Sequence, residues 1–279
     1  MQRFVGIDFS GGVNAGRKIW IASGRAENKV LLIETCLPGE ALPGSSCDRA
    51  VCLAALRAFI CSIGAGLIGL DFPLGLPVEL MAGQTWLQFM RTFADRFSTA
   101  QQFREACWRA TRGRATRGRA THGRATHGRE VKRRTDIEAR TPFSPYNLRL
   151  YRQTYYGLRD VVAPLVRAQA VRVRPMQSSR AGRPSLIEIC PASTLKWLNR
   201  YQPYKGRSLQ QRAARLMILR ALQEEGVQLA GQLKPIVLAD PEGDALDSVL
   251  AAWAAFRSRD RIEHVPHDPL YRREGYVFV

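Results

Sequence analysis

Two short stretches of the chain carry a carboxylate in matching settings. Phe4-Val-Gly-Ile-Asp8-Phe-Ser10-Gly-Gly12 sets an Asp at the end of an apolar run and follows it with turn residues; Leu67-Ile-Gly-Leu-Asp71-Phe-Pro73-Leu-Gly75 repeats the apolar run, the Asp, the Phe and a Pro/Gly-marked exit. An Asp in either place is a turn former or a ligand. Two strands that each deliver an Asp from the same kind of edge could hold a divalent metal. Three further acids join them: Glu188 within Ser185-Leu-Ile-Glu-Ile-Cys190-Pro191, and Asp244 and Asp247, three apart and so on one side of a helical first turn. Magnesium and manganese take oxygen ligands and retain waters. Two such ions about 3.5–4 Å apart activate an attacking water and stabilise the leaving oxygen of a phosphodiester. That chemistry needs neither His nor Cys.

The elements that must position these acids follow from patterning. Segments 4–8, 18–22 and 29–34 are rich in strand formers and are separated by Gly- or Asn-containing stretches, which predicts an antiparallel three-strand meander with 10–16 as a tight hairpin connection. Segment 46–63 has apolar residues at helical spacing and stops at Gly64 and Gly66, as a crossover helix would. Gly66 to Leu70 is apolar throughout, the pattern of a strand covered on both faces and paired in parallel; Pro73 and Pro77 then take the chain out of the ladder. Further on, 185–190 is a strand, 193–201 and 208–225 are helices, and the helix that starts at Asp244 carries no charge between Asp247 and Arg257, so it should be buried on most sides. Gly275 to Val279 could close the fold as a short edge strand.

Residues 78–182 differ in character, with mixed helical and basic segments that include a helix over 148–168, and are expected to be an insertion within one domain spanning 1–279. Inside it, Arg109-Ala-Thr-Arg-Gly113 recurs as Arg114-Ala-Thr-Arg-Gly118, Arg119-Ala-Thr-His-Gly123 and Arg124-Ala-Thr-His-Gly128. A period of five suits neither helix nor strand. With a Gly in every unit and no large apolar residue, 109–128 cannot bury enough surface to offset its ordering entropy and is expected to be a flexible loop. The formal charge of +18 over 279 residues suggests attraction to phosphates. From Arg109 to Arg134 there are nine Arg, one Lys and one Glu, however, so much of the excess lies where it cannot shape the core.

The remaining composition narrows the function classes. Six cysteines are scattered without a C-x-x-C pair or His partners at zinc-ligand spacing, so free thiols are expected. His264 and His267 near Asp268 form a surface cluster rather than a zinc triad. No run reaches membrane-spanning length and the start lacks a signal-peptide pattern, which predicts a cytoplasmic protein without a membrane role. Lys18, Arg140 and Arg149 are candidate phosphate contacts among many.

On Gly6-Ile-Asp8-Phe-Ser10, Ile68-Gly-Leu-Asp71-Phe-Pro-Leu-Gly-Leu-Pro77, Glu188-Ile-Cys-Pro191, Asp244-Ala-Leu-Asp247-Ser-Val-Leu-Ala-Ala252 and Glu274-Gly-Tyr-Val-Phe278, the sequence resembles domain of unknown function family 429, described as predicted nucleases. The resemblance implies a ribonuclease H-like α/β fold, a mixed sheet with Asp8 on its first strand, Asp71 ending the fourth, and Asp244 or Asp247 from the final helix. It covers most of the chain apart from the repeat.

The expected function is a metal-dependent nuclease in which Asp8, Asp71 and Asp247, with Asp244 and Glu188, hold magnesium or manganese at a phosphodiester of DNA or RNA. Four of the five acids have a structural alternative. Asp8 could form an Asx-turn, Glu188 an ion pair, and Asp244, more than Asp247, a helix cap. Two other functions stay open: a ribonuclease H-like module that binds nucleic acid or protein without cutting, and an actin-like phosphotransferase, which would need a second domain to close around ATP.

Overall fold

β1 (Arg3–Asp8), β2 (Trp20–Glu27) and β3 (Val30–Pro38) form the antiparallel meander. This computed structural model describes residues 2–111, 130–266 and 268–279. After the meander the chain crosses back through the helix Arg49–Ser62, whose first turn is capped by the Asp48 carboxylate accepting from the amides of Ala50 and Val51. It then enters β4 (Gly66–Asp71), which lies parallel to β1. β6 (Ser185–Ile189) adds in parallel to β4, and β5 (Arg172–Val173) and β8 (Val277–Phe278) both pair with β6. With β7 (Val227–Leu229) beside β3, the order is β5-β6-β4-β1-β2-β3-β7. The result is an α/β protein built on one mixed sheet.

Strand alternation divides the core between the two faces of this sheet. Val5, Ile7 and Phe9 with Ile68, Leu70 and Phe72 face the crossover helix and the helices of the 78–182 region. Phe4 and Leu67 face the other way, against the helix Asp244–Ser258, whose residues are buried almost without a break. The expectation of an apolar, enclosed helix from Asp244 is met, but it is not the last, since a short helix, Tyr271–Glu274, follows it.

Several expected boundaries shift. The segment between β1 and β2 is not a tight hairpin: it contains a helical turn, Ala15–Lys18, because Gly16 donates to the Cys47 carbonyl and ties the loop to the start of the crossover helix. Residues 78–182 supply the helices Trp86–Arg96 and Ala100–Thr111 but also the edge strand β5. The helix expected over 148–168 runs from Tyr151 to Arg167, with a π-helical stretch at Gly157–Val162. Arg109, Ala110 and Thr111 end a helix rather than beginning a loop; the rest of the repeat, like His267, lies outside the described residues. Pro191–Trp197 starts earlier than 193 because Pro191 is accepted at a first helical turn. β7 and the helix Leu233–Ala239 are not foreseen by sequence pattern. Among the described residues no helix is long and apolar enough to cross a membrane.

Candidate metal centre

The parallel register places Asp8 directly beside Asp71 at the carboxyl ends of β1 and β4. Each is followed by Phe, and alternation sends the two rings to the opposite face, where Phe9 and Phe72 pack with centroids 4.5 Å apart. Phe72 also fills the space beside Gly157 in the π-helical stretch, where a methyl group would overlap its ring. The repeated Asp-Phe pair is therefore a two-sided device: the ring anchors the strand end on one face while the carboxylate projects from the other.

What meets the carboxylates is set by the strand residues behind them. Phe4, Gly6 and Asp8 share one face of β1, and this face lies along the helix Asp244–Ser258. Phe4 packs edge-on against Phe256 at 5.3 Å. A methyl at Gly6 would overlap the Ser248 carbonyl and the Ala252 amide, and one at Gly69, the register partner of Gly6, would come within 2.7 Å of the Ala251 carbonyl oxygen. These glycines form a groove that lets the helix backbone touch the sheet. From Phe4 to Asp8 a strand advances about 13 Å; from Phe256 back to Asp247 a helix covers about 14 Å. The match in length brings Asp247 to Asp8.

Asp8, Asp71 and Asp247 each offer an oxygen within 4.8 Å of the others. Asp8 and Asp247 are only 6% and 2% exposed, so their mutual repulsion is poorly screened. Burial, then Asp247, Asp244 and Asp71, raise the Asp8 carboxyl well above the usual carboxylate range. Burial and Asp247 push Asp71 up to about 7. Asp247 is raised by burial too, opposed by the Lys205 ammonium at 2.7 Å and the Tyr204 hydroxyl, which donates to Oδ1 at 2.6 Å. Burial works against the charge of Lys205, yet Asp247, Asp8 and Asp244 hold it protonated well beyond the ordinary lysine range. One ammonium facing several carboxylates leaves an excess of negative charge.

Asp244 stands one turn before Asp247, 3.3 Å from Lys205 Nζ. It does not cap the helix. Asp240 does so, its Oδ2 accepting from the Ala245 amide at 2.9 Å, while Gly243 at φ 77° makes the left-handed entry. Neither Asp244 nor Asp247 is thus occupied by the helix terminus, although Asp244 is not one of the three clustered acids. Glu188 is placed differently from the expectation: its carboxylate is gripped by Arg133, with Nη1 donating to Oε2 at 2.7 Å, and by the Leu74 amide at 2.8 Å. Arg133 is itself buried and also pairs with Asp136 at 2.7 Å. Glu188 forms a buried ion pair that fastens the segment after the repeat to β6, and it stands outside the carboxylate cluster.

A cleft of about 430 Å³ opens beside the cluster, with Asp71 and Asp247 in its wall. Its other sides come from the chain around Phe143 and Arg149, the turn at Cys190-Pro191-Ala192, and Tyr201 to Lys205. Lys18 is paired with Glu242 at 3.4 Å, and Arg140 is exposed, outside the cleft lining. Sequence reasoning missed Tyr204 and Lys205; the only local signal is an aromatic-Lys pair between Pro203 and Gly206, too common to single out.

A family model described as a protein of unknown function, DUF429, matches residues 6–270. The chain belongs to this family. The match includes Asp8, Asp71, Glu188, Asp244 and Asp247, whereas the Glu274–Phe278 ending lies beyond it. No curated protein and no solved structure matches the chain. DUF429 membership thus accords with the resemblance on which the fold expectation rests, and the description of the family assigns no activity.

Proposed function

We propose that this DUF429 protein is a metal-dependent nuclease with a ribonuclease H-like arrangement, hydrolysing phosphodiester bonds of a nucleic acid. The observation that carries this reading is the meeting of three carboxylates, each brought by a different element to one point at the carboxyl edge of the sheet. The donor set fits a hard divalent cation: all three groups are carboxylates, and the single facing ammonium leaves their charge uncompensated. Asp8, Asp71 and Asp247 would hold magnesium or manganese, while Asp244, tied to the same Lys205 ammonium, adds negative charge beside them. Such ions supply Lewis-acid polarisation of a phosphoryl oxygen and a water of lowered pKa.

The chain's own groups account for the rest. Tyr204 fixes Asp247 Oδ1 and so orients the carboxylate before any ligand arrives. Lys205 offsets part of the cluster's charge and, on a flexible stem, can turn towards a substrate phosphate once another cation takes its place. Arg149 at the cleft lining adds a second phosphate donor. An actin-like phosphotransferase would require a second comparable sheet, and the described residues form one.

The test is a cleavage panel of single-stranded, duplex, branched and hybrid substrates with manganese, paired with calorimetric titration of the metal. Cleavage that requires metal and disappears in Asp71→Asn is expected. Tight manganese binding with no cleavage of any substrate would end the nuclease reading and favour a binding module.

A further inference from the structure

The cleft beside the carboxylates points to the form of nucleic acid that reaches them. Its volume of about 430 Å³ lies near the small end of pockets for single small ligands, about 300–1,000 Å³. Asp8 and Asp247, the most buried of the three clustered acids, lie next to it, so a phosphate must descend between the walls to meet them. The rim is aromatic. Tyr201 is 55% exposed although it belongs to the lining, and half-buried Phe143, from a separate segment of the lining, carries the Arg149 guanidinium over its ring at 5.6 Å.

The cations of the cleft are few and mostly paired. Arg133 is held by Glu188 and Asp136, and Lys205 by Asp247 and Asp244. Among the described residues Arg149 is the lining cation without an ion pair. A wall of this kind suits one phosphate with one base stacked near it; it does not follow a long charged backbone. A duplex keeps its base faces within its own stack, whereas an unpaired nucleotide offers a π-face to an aromatic rim.

We infer that the cleft is a single-nucleotide subsite, which admits an unpaired nucleotide of a strand end, loop or extruded base and stacks it on Tyr201 and Phe143. This rests on the nuclease reading for its reaction, but the binding it describes stands separately.

The experiment measures binding of a short labelled single strand, in DNA and RNA form, against the same sequence as a blunt duplex. Calcium, which also takes oxygen ligands, serves in the binding arm and manganese in the cleavage arm. The single strand is expected to bind at least about tenfold more tightly. Tyr201→Ala and Phe143→Ala should each weaken it about fivefold or more, the effect of losing one stacked base, while manganese affinity stays unchanged. Tyr201 is exposed, so its variant tests the subsite even if Phe143→Ala folds poorly. Equal or tighter duplex binding, no binding of either form, or full affinity in Tyr201→Ala overturns the inference. Duplex cut internally at unchanged rates by both variants would overturn it while leaving the nuclease reading intact. Stacked single-strand binding with no cleavage would do the reverse.

Discussion

At the scale of single residues, the candidate centre is a place where charge is held against its own preference. Asp71, pushed up to about 7, gives the clearest consequence. Between about pH 4, where an unfolded Asp ionises, and about 7, the native state keeps a proton that the unfolded chain has released. Stability of the metal-free protein should therefore fall as pH rises through that window and level off above it. Thermal melts in chelator across pH 4–9 check this, and Asp71→Asn should flatten the slope and melt higher than the parent at pH 8. The same substitution should abolish most of the manganese-induced rise in melting temperature, since the ligand charge is gone. Glu188 offers the contrast. Glu188→Gln should destabilise the protein, because Arg133 would lose a buried charge partner, a change that costs about 3–5 kcal/mol when a pair is broken outright. Its manganese affinity, read by calorimetry on the folded fraction, should stay near that of the parent. A selective loss of metal binding in Glu188→Gln would return this acid to the centre. The acids were legible in the sequence as types in a pattern, but the partner of Glu188 was not. Arg133 lies 55 residues away, and only folding brings its guanidinium to that carboxylate.

At the scale of elements, the centre depends on how closely the helix Asp244–Ser258 lies on β1 and β4. Gly6 and Gly69 allow the contact, so Gly6→Ala should act on structure and site together. Because a methyl there meets backbone rather than a yielding side chain, its cost should reach at least the upper end of the ~1–3 kcal/mol typical of overpacking. Manganese affinity should fall with it, since lifting the helix separates Asp247 from Asp8. Chemical denaturation and calorimetry of the same preparation measure both; unchanged metal affinity in a destabilised Gly6→Ala would show that the helix terminus is positioned independently of the groove. The sequence announced β1 to β4 and β6, the crossover helix and the apolar helix from Asp244 through their periodicity. It did not announce β7, whose three residues are too few for a pattern, nor that Asp240 would relieve Asp244 of capping.

At the scale of the whole molecule, the basic repeat and the centre are separable. Thr111, within the first unit of the repeat, and Val131, beyond its last, are joined by the Tyr146 hydroxyl, which accepts from the Val131 amide at 2.6 Å and donates to Thr111 Oγ1 at 3.3 Å. The two ends are thus held together by the folded body. Replacing residues 112–128 with a short Gly-Ser link should leave the melting temperature within a degree or two of the parent. It also removes five Arg, so any single-strand affinity should weaken and its log–log salt slope should flatten by about 0.7 for each phosphate that is no longer neutralised. A large drop in melting temperature would give the repeat a structural part; an unchanged salt slope would deny it a part in binding.

The sequence alone determined the α/β class, the order of meander, crossover and parallel strand, and the acids worth testing, because each depends on local periodicity and on which residues can end a strand or begin a helix. Tertiary structure decided which of those acids meet. Asp8, Asp71 and Asp247 converge because register, a glycine groove and matched strand and helix lengths act over distances that no short window contains. The same packing gave Glu188 to Arg133 and brought Lys205 and Tyr204 to Asp247, since a buried charge is tolerated only beside a partner, and the partner is chosen by the fold.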